Sequence, residues 1–475
     1  MSLEQHLREP YARGPVPDGA VVGSAGGHVC GDLVRIAVRP AAGAIAEITF
    51  DAEGCGAMIA AASACALLAD GQSLLGAARI TPEDVIGELG GLSAGKRHAA
   101  DLAADALHRA LAKCWADERS AATPVPGRML VAMSGGVDSA AAALLAARAG
   151  REVVAVTLKL WADQGVAGTA SCCSPEAVIG ARALAHSMGF PHITLDLQDR
   201  FRAAVVDDFL AEHGRGRTPN PCIRCNGLVR FDAMLELADR VGAEALATGH
   251  YARIERDGEG HLLAAAADTA KDQTYMLAGL DPGSLARVRF PLGGLTKPEV
   301  RALAREARLP VAEKRESQDL CFLAGTNRER FLARHGGLAE RQGEVVDTSG
   351  RVLGRHGGHT RFTVGQRRGL RVAAGEPLYV KATDAATNTV VVGKRAEIAS
   401  RRVEVDPATL YRDCDRVDRV KLRYRSSPVP CRIAHRNGRA VVELQGDVHG
   451  VAPGQTACFM EGDRVVGYGT IAAAS

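Results

Sequence analysis

The sequence predicts a multidomain protein: an α+β amino-terminal domain, an α/β domain on a parallel sheet, a small central β-rich domain and a carboxy-terminal β-barrel. At 475 residues the chain exceeds what one ordinary core accommodates. From residue 128 onward apolar runs alternate with helical patterns, which implies a parallel sheet covered on both faces. Beyond about residue 335 the texture changes to short alternating segments separated by Gly, Asp and Pro, which reads as small β domains ending in a barrel.

Each element follows in order. Residues 1–120 combine strand-like alternation with small-residue helical stretches, the last ending near Trp115. The run Ser-Ala-Ala-Thr-Pro-Val-Pro-Gly127 cannot continue a helix, so 121–127 is expected to be a linker. An α/β domain is expected over 128–334, with strands at Met129–Met133, Glu152–Leu158, His192–Leu197 and Ala245–Thr248 and helices near Pro175–Met188 and from Gln198. The central domain is placed at 335–395 and the barrel at 396–475, with strands at Gly343-Glu-Val-Val-Asp, Thr389-Val-Val-Val-Gly393 and Ala440-Val-Val-Glu-Leu444.

Composition excludes several classes. Apolar residues make up 47 % of the chain, yet no window approaches the roughly 20 uninterrupted apolar residues of a membrane span. The first twenty residues carry Glu4, Arg8, Glu9, Arg13 and Asp18 in place of an apolar signal core, so a cytoplasmic protein without a membrane partner is expected. The 12 cysteines are spaced in local pairs, which favours thiol chemistry or metal ligation over structural disulfides. Residues 1–120 hold 10 Lys/Arg against 15 Asp/Glu, whereas 121–475 hold 48 against 40. An anionic partner is therefore expected downstream.

Ser134-Gly-Gly-Val-Asp-Ser139 lies between an apolar strand and an alanine-rich helix. Its backbone N–H groups and the positive end of the helix dipole make an anion site without a Walker lysine. The pattern resembles the PP-loop of ATP pyrophosphatases, which hold the outer phosphates so that AMP and pyrophosphate are released.

Downstream come Gly216-Arg-Thr-Pro-Asn-Pro-Cys-Ile-Arg-Cys-Asn226, Ala247-Thr-Gly-His-Tyr251, Lys271-Asp-Gln-Thr-Tyr275, Glu316-Ser-Gln-Asp-Leu-Cys-Phe322, Thr363-Val-Gly-Gln-Arg-Arg-Gly-Leu370, Leu422-Arg-Tyr-Arg425 and Pro453-Gly-Gln455. In that order, over 128–475, the chain resembles the tRNA-specific 2-thiouridylases. The resemblance implies an ATP-dependent tRNA uridine 2-sulfurtransferase in which ATP with Mg²⁺ adenylates the wobble-uridine oxygen and sulfur replaces it. Cys225 is then the nucleophile and Cys321 the persulfide carrier, a task suited to soft, exchangeable sulfur. The ATP contacts implied are Ala132, Met133, Ser134, Gly135, Gly136, Val137, Asp138, Ser139, Leu158 and Gly249. The tRNA contacts implied are Asn220, Pro221, Cys222, His250, Lys271, Asp272, Gln273, Gln366, Arg367, Arg423, Tyr424 and Gln455. Arg351, Arg355, Arg361, Arg367, Arg368 and Arg371 lie between Ser349 and Gly375 without an acidic residue, which suits a phosphate backbone.

Where a branch of that family has an aspartate, this chain has Cys222. Cys222, Cys225 and Cys321 together give three thiolates, a candidate seat for a [4Fe–4S] cluster with one open iron. The cluster and persulfide routes stand open side by side, and zinc on the same three would want a fourth ligand, for which Cys172-Cys173 is a candidate.

The segment containing Val29-Cys-Gly-Asp32 and Glu53-Gly-Cys-Gly-Ala57 resembles the IscU/NifU-type iron–sulfur scaffolds. Cys30, Asp32 and Cys55 match their ligand positions, but Ala99 stands at the third cysteine position with His98 beside it. Zn²⁺ or a labile cluster on Cys30, Asp32, Cys55 and His98 is one reading, and a docking domain without metal is the other. The implied partners are tRNA and a cysteine desulfurase or sulfur-relay protein. Two other functions remain open at this point: a different PP-loop nucleotide synthetase, and an iron–sulfur carrier whose carboxy-terminal part binds RNA.

Overall fold

The computed structural model describes residues 1–27, 31–116, 122–163, 174–315, 320–338 and 340–475. The amino-terminal domain is an antiparallel sheet of β1 (Val21–Gly26), β2 (Leu33–Ala41) and β3 (Ala44–Glu53), covered by helices α1 (Gly56–Ala69) and α2 (Arg97–Cys114). Ala99, Ala103, Ala106 and Ala110 recur at helical spacing on α2 and are fully buried. That small-residue face lets α2 lie directly on β1. A Cβ on Gly23 would stand 2.0 Å from the Ala106 carbonyl oxygen, so the strand needs glycine at this crossing.

The second domain is a parallel sheet in the order β10-β7-β4-β5-β6, formed by β4 (Val125–Ala132), β5 (Glu152–Lys159), β6 (His192–Asp196), β7 (Ala243–Ala247) and β10 (Val288–Arg289). Helices α3 (Val137–Arg148) and α4 (Pro175–Ser187) follow β4 and β5. The stretch expected as a linker already contributes structure, because β4 begins at Val125 and the Ala122 N–H donates to the Asp239 carbonyl.

The edge strand β6 is covered by the amino-terminal domain. The His192 N–H donates to the Ala78 carbonyl, and the His108 and His186 rings pack 5.2 Å apart. Arg182 of α4 reaches Asp105 of α2, and one hydrophobic core runs through both domains. Covering the edge removes a template for unwanted strand pairing.

The hairpin β8 (Arg253–Asp257) and β9 (Gly260–Ala264) leaves the second domain and joins the carboxy-terminal sheet. The central domain has strand order β12-β11-β14-β13, from β11 (Gly343–Val346), β12 (Val352–His356), β13 (Tyr379–Asp384) and β14 (Thr389–Gly393). The carboxy-terminal strands are β15 (Ala399–Leu410), β16 (Arg419–Lys421), β17 (Val429–Arg436), β18 (Arg439–His449), β19 (Thr456–Glu461) and β20 (Arg464–Ala474). Pairing of β15 with both β18 and β20 closes these six into a barrel, as the alternating sequence predicts. Sequence reading did not foresee the β8–β9 extension, whose Asp257 is gripped by Arg412 and Arg416 of the barrel. Among the described residues no helix is long and apolar enough to cross a membrane.

Candidate active site

Ala132 ends β4 and Met133 follows it, with the Met133 N–H and carbonyl tied to Val156 and Thr157 of β5. The chain then turns through Gly135, whose φ of +70° suits glycine, and enters α3 with Gly136 as its N-cap. The Ser139 hydroxyl donates to the Gly136 carbonyl and accepts from the Ser134 N–H at 3.1 Å, so the loop is braced from within. A Cβ on Gly249 would stand 2.7 Å from the Asp138 carbonyl carbon. That glycine lets the end of β7 abut the first turn of α3. Leu158 is buried near the end of β5.

Two lysines from distant sequence converge on this loop. Lys297, the first residue of the helix Lys297–Glu306, places its ammonium 2.6 and 2.8 Å from the two carboxylate oxygens of Asp138. The Tyr251 hydroxyl donates to Asp138 Oδ1 at 2.9 Å. The Lys314 ammonium donates to the Gly135 carbonyl at 2.8 Å. Sequence reading missed both lysines. Thr296-Lys-Pro-Glu299 is a legible helix start, with the capping box present, but its target 159 positions away is not.

The thiols are carried by two other segments of the chain. Helix α5 (Pro221–Cys225) carries Cys222 and Cys225, with Asn220 as its N-cap and Pro221 as its first residue. The Arg224 guanidinium bonds the Ala204 carbonyl and the Asp208 carboxylate. Cys321 begins a short 3₁₀ turn anchored by Phe322, whose ring packs edge-on against Phe209 and near Phe201 and Phe331. The segment 198–214 therefore supports both cysteine-bearing pieces. Residues Glu316 to Asp319 of the Cys321 motif lie outside the described residues, as do Cys172, Cys173 and Cys30.

Cys225 is buried, and burial pushes the Cys222 thiol pKa up despite the nearby Arg230. Among the described residues no three His, Cys, Asp or Glu side chains stand together as a metal-holding group. Cys222, Cys225 and Cys321 are all among the described residues and do not form such a group.

The side chains expected on the tRNA side mostly join domains. Asp272 accepts from the Thr274 hydroxyl and the Ala266 N–H and pairs with Lys421 of the barrel. Lys271 precedes it, partly exposed. The Gln273 side chain accepts from the Tyr251 N–H. Arg423 donates to the Val364 carbonyl at 2.8 Å and to the Gly450 carbonyl, and Tyr424 packs near Tyr275. Gln455 donates to the Thr218 and Pro219 carbonyls, so a barrel loop holds the entry to α5. Gln366 bonds within its own turn and lines a cavity of about 470 Å³ with Arg355, Arg361 and Arg371, while Arg367 is exposed. His250, held by the Thr248 hydroxyl and packed near Phe231 and Phe290, has its pKa lowered by burial and then by Arg230, to about 3. It is a neutral imidazole, not a cation for phosphate.

In the amino-terminal domain Asp32 gathers the other donors. Its carboxylate lies 2.9 Å from His98 Nε2 and 3.7 Å from the Cys55 thiol, and accepts from the Cys55 N–H at 2.9 Å. Burial alone would raise the Asp32 pKa, but the Cys55 amide, His98 and the Cys55 thiol hold it below the ordinary value. Asp, Cys and His are donor types of zinc chemistry, but Asp32, Cys55 and His98 do not by themselves stand as a metal-holding group, and Cys30, the sequence-assigned fourth, lies outside the described residues.

Comparison with known proteins gives four family matches along the chain: a NifU-like N terminal domain over 2–120, a tRNA methyl transferase HUP domain over 127–325, a tRNA methyl transferase PRC-barrel domain over 329–394 and an aminomethyltransferase beta-barrel domain over 413–471. The bifunctional protein NifU/MnmA of Rubrobacter xylanophilus is 45 % identical, over 98 % of this chain and 97 % of that protein. The tRNA-specific 2-thiouridylase MnmA of Geobacter metallireducens is also 45 % identical, over 73 % of this chain and 97 % of its own length. An NMN synthetase structure from Francisella tularensis matches at 19 % identity and a TM-score of 0.28, over 44 % of this chain and 72 % of that one.

Proposed function

The chain belongs to the bifunctional NifU/MnmA family, and from that premise we propose that it is an ATP-dependent tRNA uridine 2-sulfurtransferase with a fused sulfur-supply domain. The observation that carries the reading is one fold that holds both a braced Ser/Gly phosphate loop and two cysteine-bearing segments seated on a common helix.

MgATP is a substrate here. Loop N–H groups and the α3 dipole receive its outer phosphates, with Leu158 and Gly249 at the strand ends on the nucleoside side. The uridine O2 attacks the α-phosphorus, the bond to the β-bridging oxygen breaks, and pyrophosphate and the N3 proton leave. Cys321 carries sulfane sulfur as a persulfide. The Cys225 thiolate attacks the Cys321 sulfur, a disulfide forms, and the terminal sulfur leaves as hydrosulfide. Hydrosulfide adds at C2 and AMP departs with the original oxygen; an external thiol then reduces the disulfide. The persulfide route is preferred because the three thiols do not group as metal ligands.

The Arg-rich turn of the central domain and the cavity beside Gln366 suit the tRNA backbone, and the target is an unstacked wobble uridine. In the amino-terminal domain Cys30, Asp32, Cys55 and His98 would hold Zn²⁺, which would position Cys55 for exchange with a cysteine desulfurase. The setting is the cytoplasm. Incubating the purified chain with unmodified tRNA, ATP and sulfide tests the reading, with nucleosides analysed by mass and nucleotides by chromatography. One AMP per 2-thiouridine is expected; stoichiometric ADP, or no thiolated nucleoside, overturns it.

A further inference from the structure

The structure assigns a charge-neutralising role to Lys297 and Lys314: we propose that their ammonium groups bind the β- and γ-phosphates of MgATP and stabilise pyrophosphate as it leaves. This rests on the sulfurtransferase reading and adds to it the groups that handle the leaving group. Within Ser134–Ser139 there is no cationic side chain, so the loop itself offers backbone dipoles only. Pyrophosphate gains negative charge as the bond to the α-phosphorus breaks, and preorganised cations aimed at developing charge are among the strongest catalytic terms.

Both lysines bracket the loop. Lys297 sits largely buried on Asp138 in the first turn of α3, and Lys314 sits on the Gly135 carbonyl at the start of the turn. Lys297 is also held by its backbone, since its N–H donates to Asp268 and Thr296 and Glu299 cap its helix. A lysine ammonium is a compact charge on a flexible stem, suited to phosphate. A burying carboxylate holds Lys297 near the loop before nucleotide arrives. When the triphosphate enters, it replaces Asp138 as the counter-anion, and the Asp138 carboxylate turns to the Mg²⁺ that accompanies ATP. The step is the adenylation written above: O2 gains the α-phosphorus, pyrophosphate takes the bonding electron pair, and the two ammonium groups stay protonated throughout.

The full chain carries the test, as Lys297→Gln, Lys314→Gln and Lys314→Arg. Equilibrium binding of MgATP, magnesium pyrophosphate and AMP is measured for each, together with ATP–pyrophosphate isotope exchange in the presence of tRNA. Each Gln variant should bind MgATP and pyrophosphate about tenfold more weakly while AMP affinity stays unchanged, because AMP lacks the phosphates the lysines hold. Exchange should slow by about a hundredfold, and Lys314→Arg should recover part of it. Equal losses for ATP and AMP, or unchanged ATP affinity, would overturn the proposal. If Lys297→Gln does not fold, Lys314→Gln decides alone, since that lysine meets a backbone carbonyl and leaves no buried charge behind. If the wild-type chain makes no AMP with tRNA, the sulfurtransferase reading fails, whereas the ATP-against-AMP affinities still decide the lysines.

Discussion

Arg182 and Asp105 form an ion pair at 2.6 Å with both side chains nearly buried, and it joins the amino-terminal domain to the parallel-sheet domain. The neighbouring residue on α4, Ala181, lies against the nucleotide loop, 3.5 Å from where a Gly135 Cβ would stand. One helix thus touches the fused domain and the phosphate loop at adjacent positions. Asp105 also binds Arg109 at 2.8 Å, which keeps its carboxylate fixed.

Breaking that pair from one side leaves Arg182 as a buried charge beside His108, His186 and His192. Asp105→Ala should therefore destabilise the chain by about 3 kcal/mol, the cost of orphaning a buried ion. Urea unfolding followed by intrinsic fluorescence checks this, and a change below about 1 kcal/mol would show the contact to be a surface-like pair.

Cys225→Ser and Cys321→Ser should each abolish thiolation from a desulfurase or other sulfane-sulfur donor while MgATP binding is kept, because a hydroxyl carries no sulfane sulfur. Cys222→Ser should retain most activity and change no metal content, since Cys222, Cys225 and Cys321 form no metal-holding group. Iron analysis beside a thiolation assay reads both. Loss of iron together with activity in Cys222→Ser would restore the cluster route.

His213 is buried, and burial with the nearby Arg328 and His359 lowers its pKa to about 3. Below the unfolded-state value of 6.5 the unfolded chain takes up a proton that the folded chain refuses. His213 therefore favours the folded state fully above pH 6.5, and that contribution is lost as pH falls towards 3. His108 and His192 shift in the same direction from burial. Stability should fall on going from about pH 7 to about pH 5, by up to about 1.4 kcal/mol per unit for each such histidine. His213→Gln should flatten that slope in urea titrations; an unchanged slope would assign it elsewhere.

Removing residues 1–120 should uncover the β6 edge and the Arg182–His186 face, so the shortened chain should self-associate by light scattering. It should still thiolate tRNA with excess sulfide and slow markedly when a desulfurase supplies sulfur. Cys55→Ala in the full chain should reproduce the slow delivery without association. Full desulfurase-driven rates in both would make the fused domain a passive cover.

Local spacing made much of this protein legible. Ser134-Gly-Gly-Val-Asp-Ser139 between a strand and a helix, the period-two strands Thr389–Gly393 and Ala440–Leu444, and the small-residue helices are patterns written within one or two turns of chain. The paired cysteines on Pro221–Cys225 belong with them. What the linear pattern left out are relationships between side chains far apart in sequence: Lys297 with Asp138 at a separation of 159, Lys314 with Gly135 at 179, and Gln455 with Thr218 at 237. The same holds for the β8–β9 hairpin completing the barrel sheet, and for Asp272 and Arg423 acting as ties between domains. Backbone periodicity depends on neighbours and survives in the sequence. A lysine's partner depends on where long-range packing delivers its ammonium, and only the folded chain, by burying Lys297 beside Asp138, forms that ion pair.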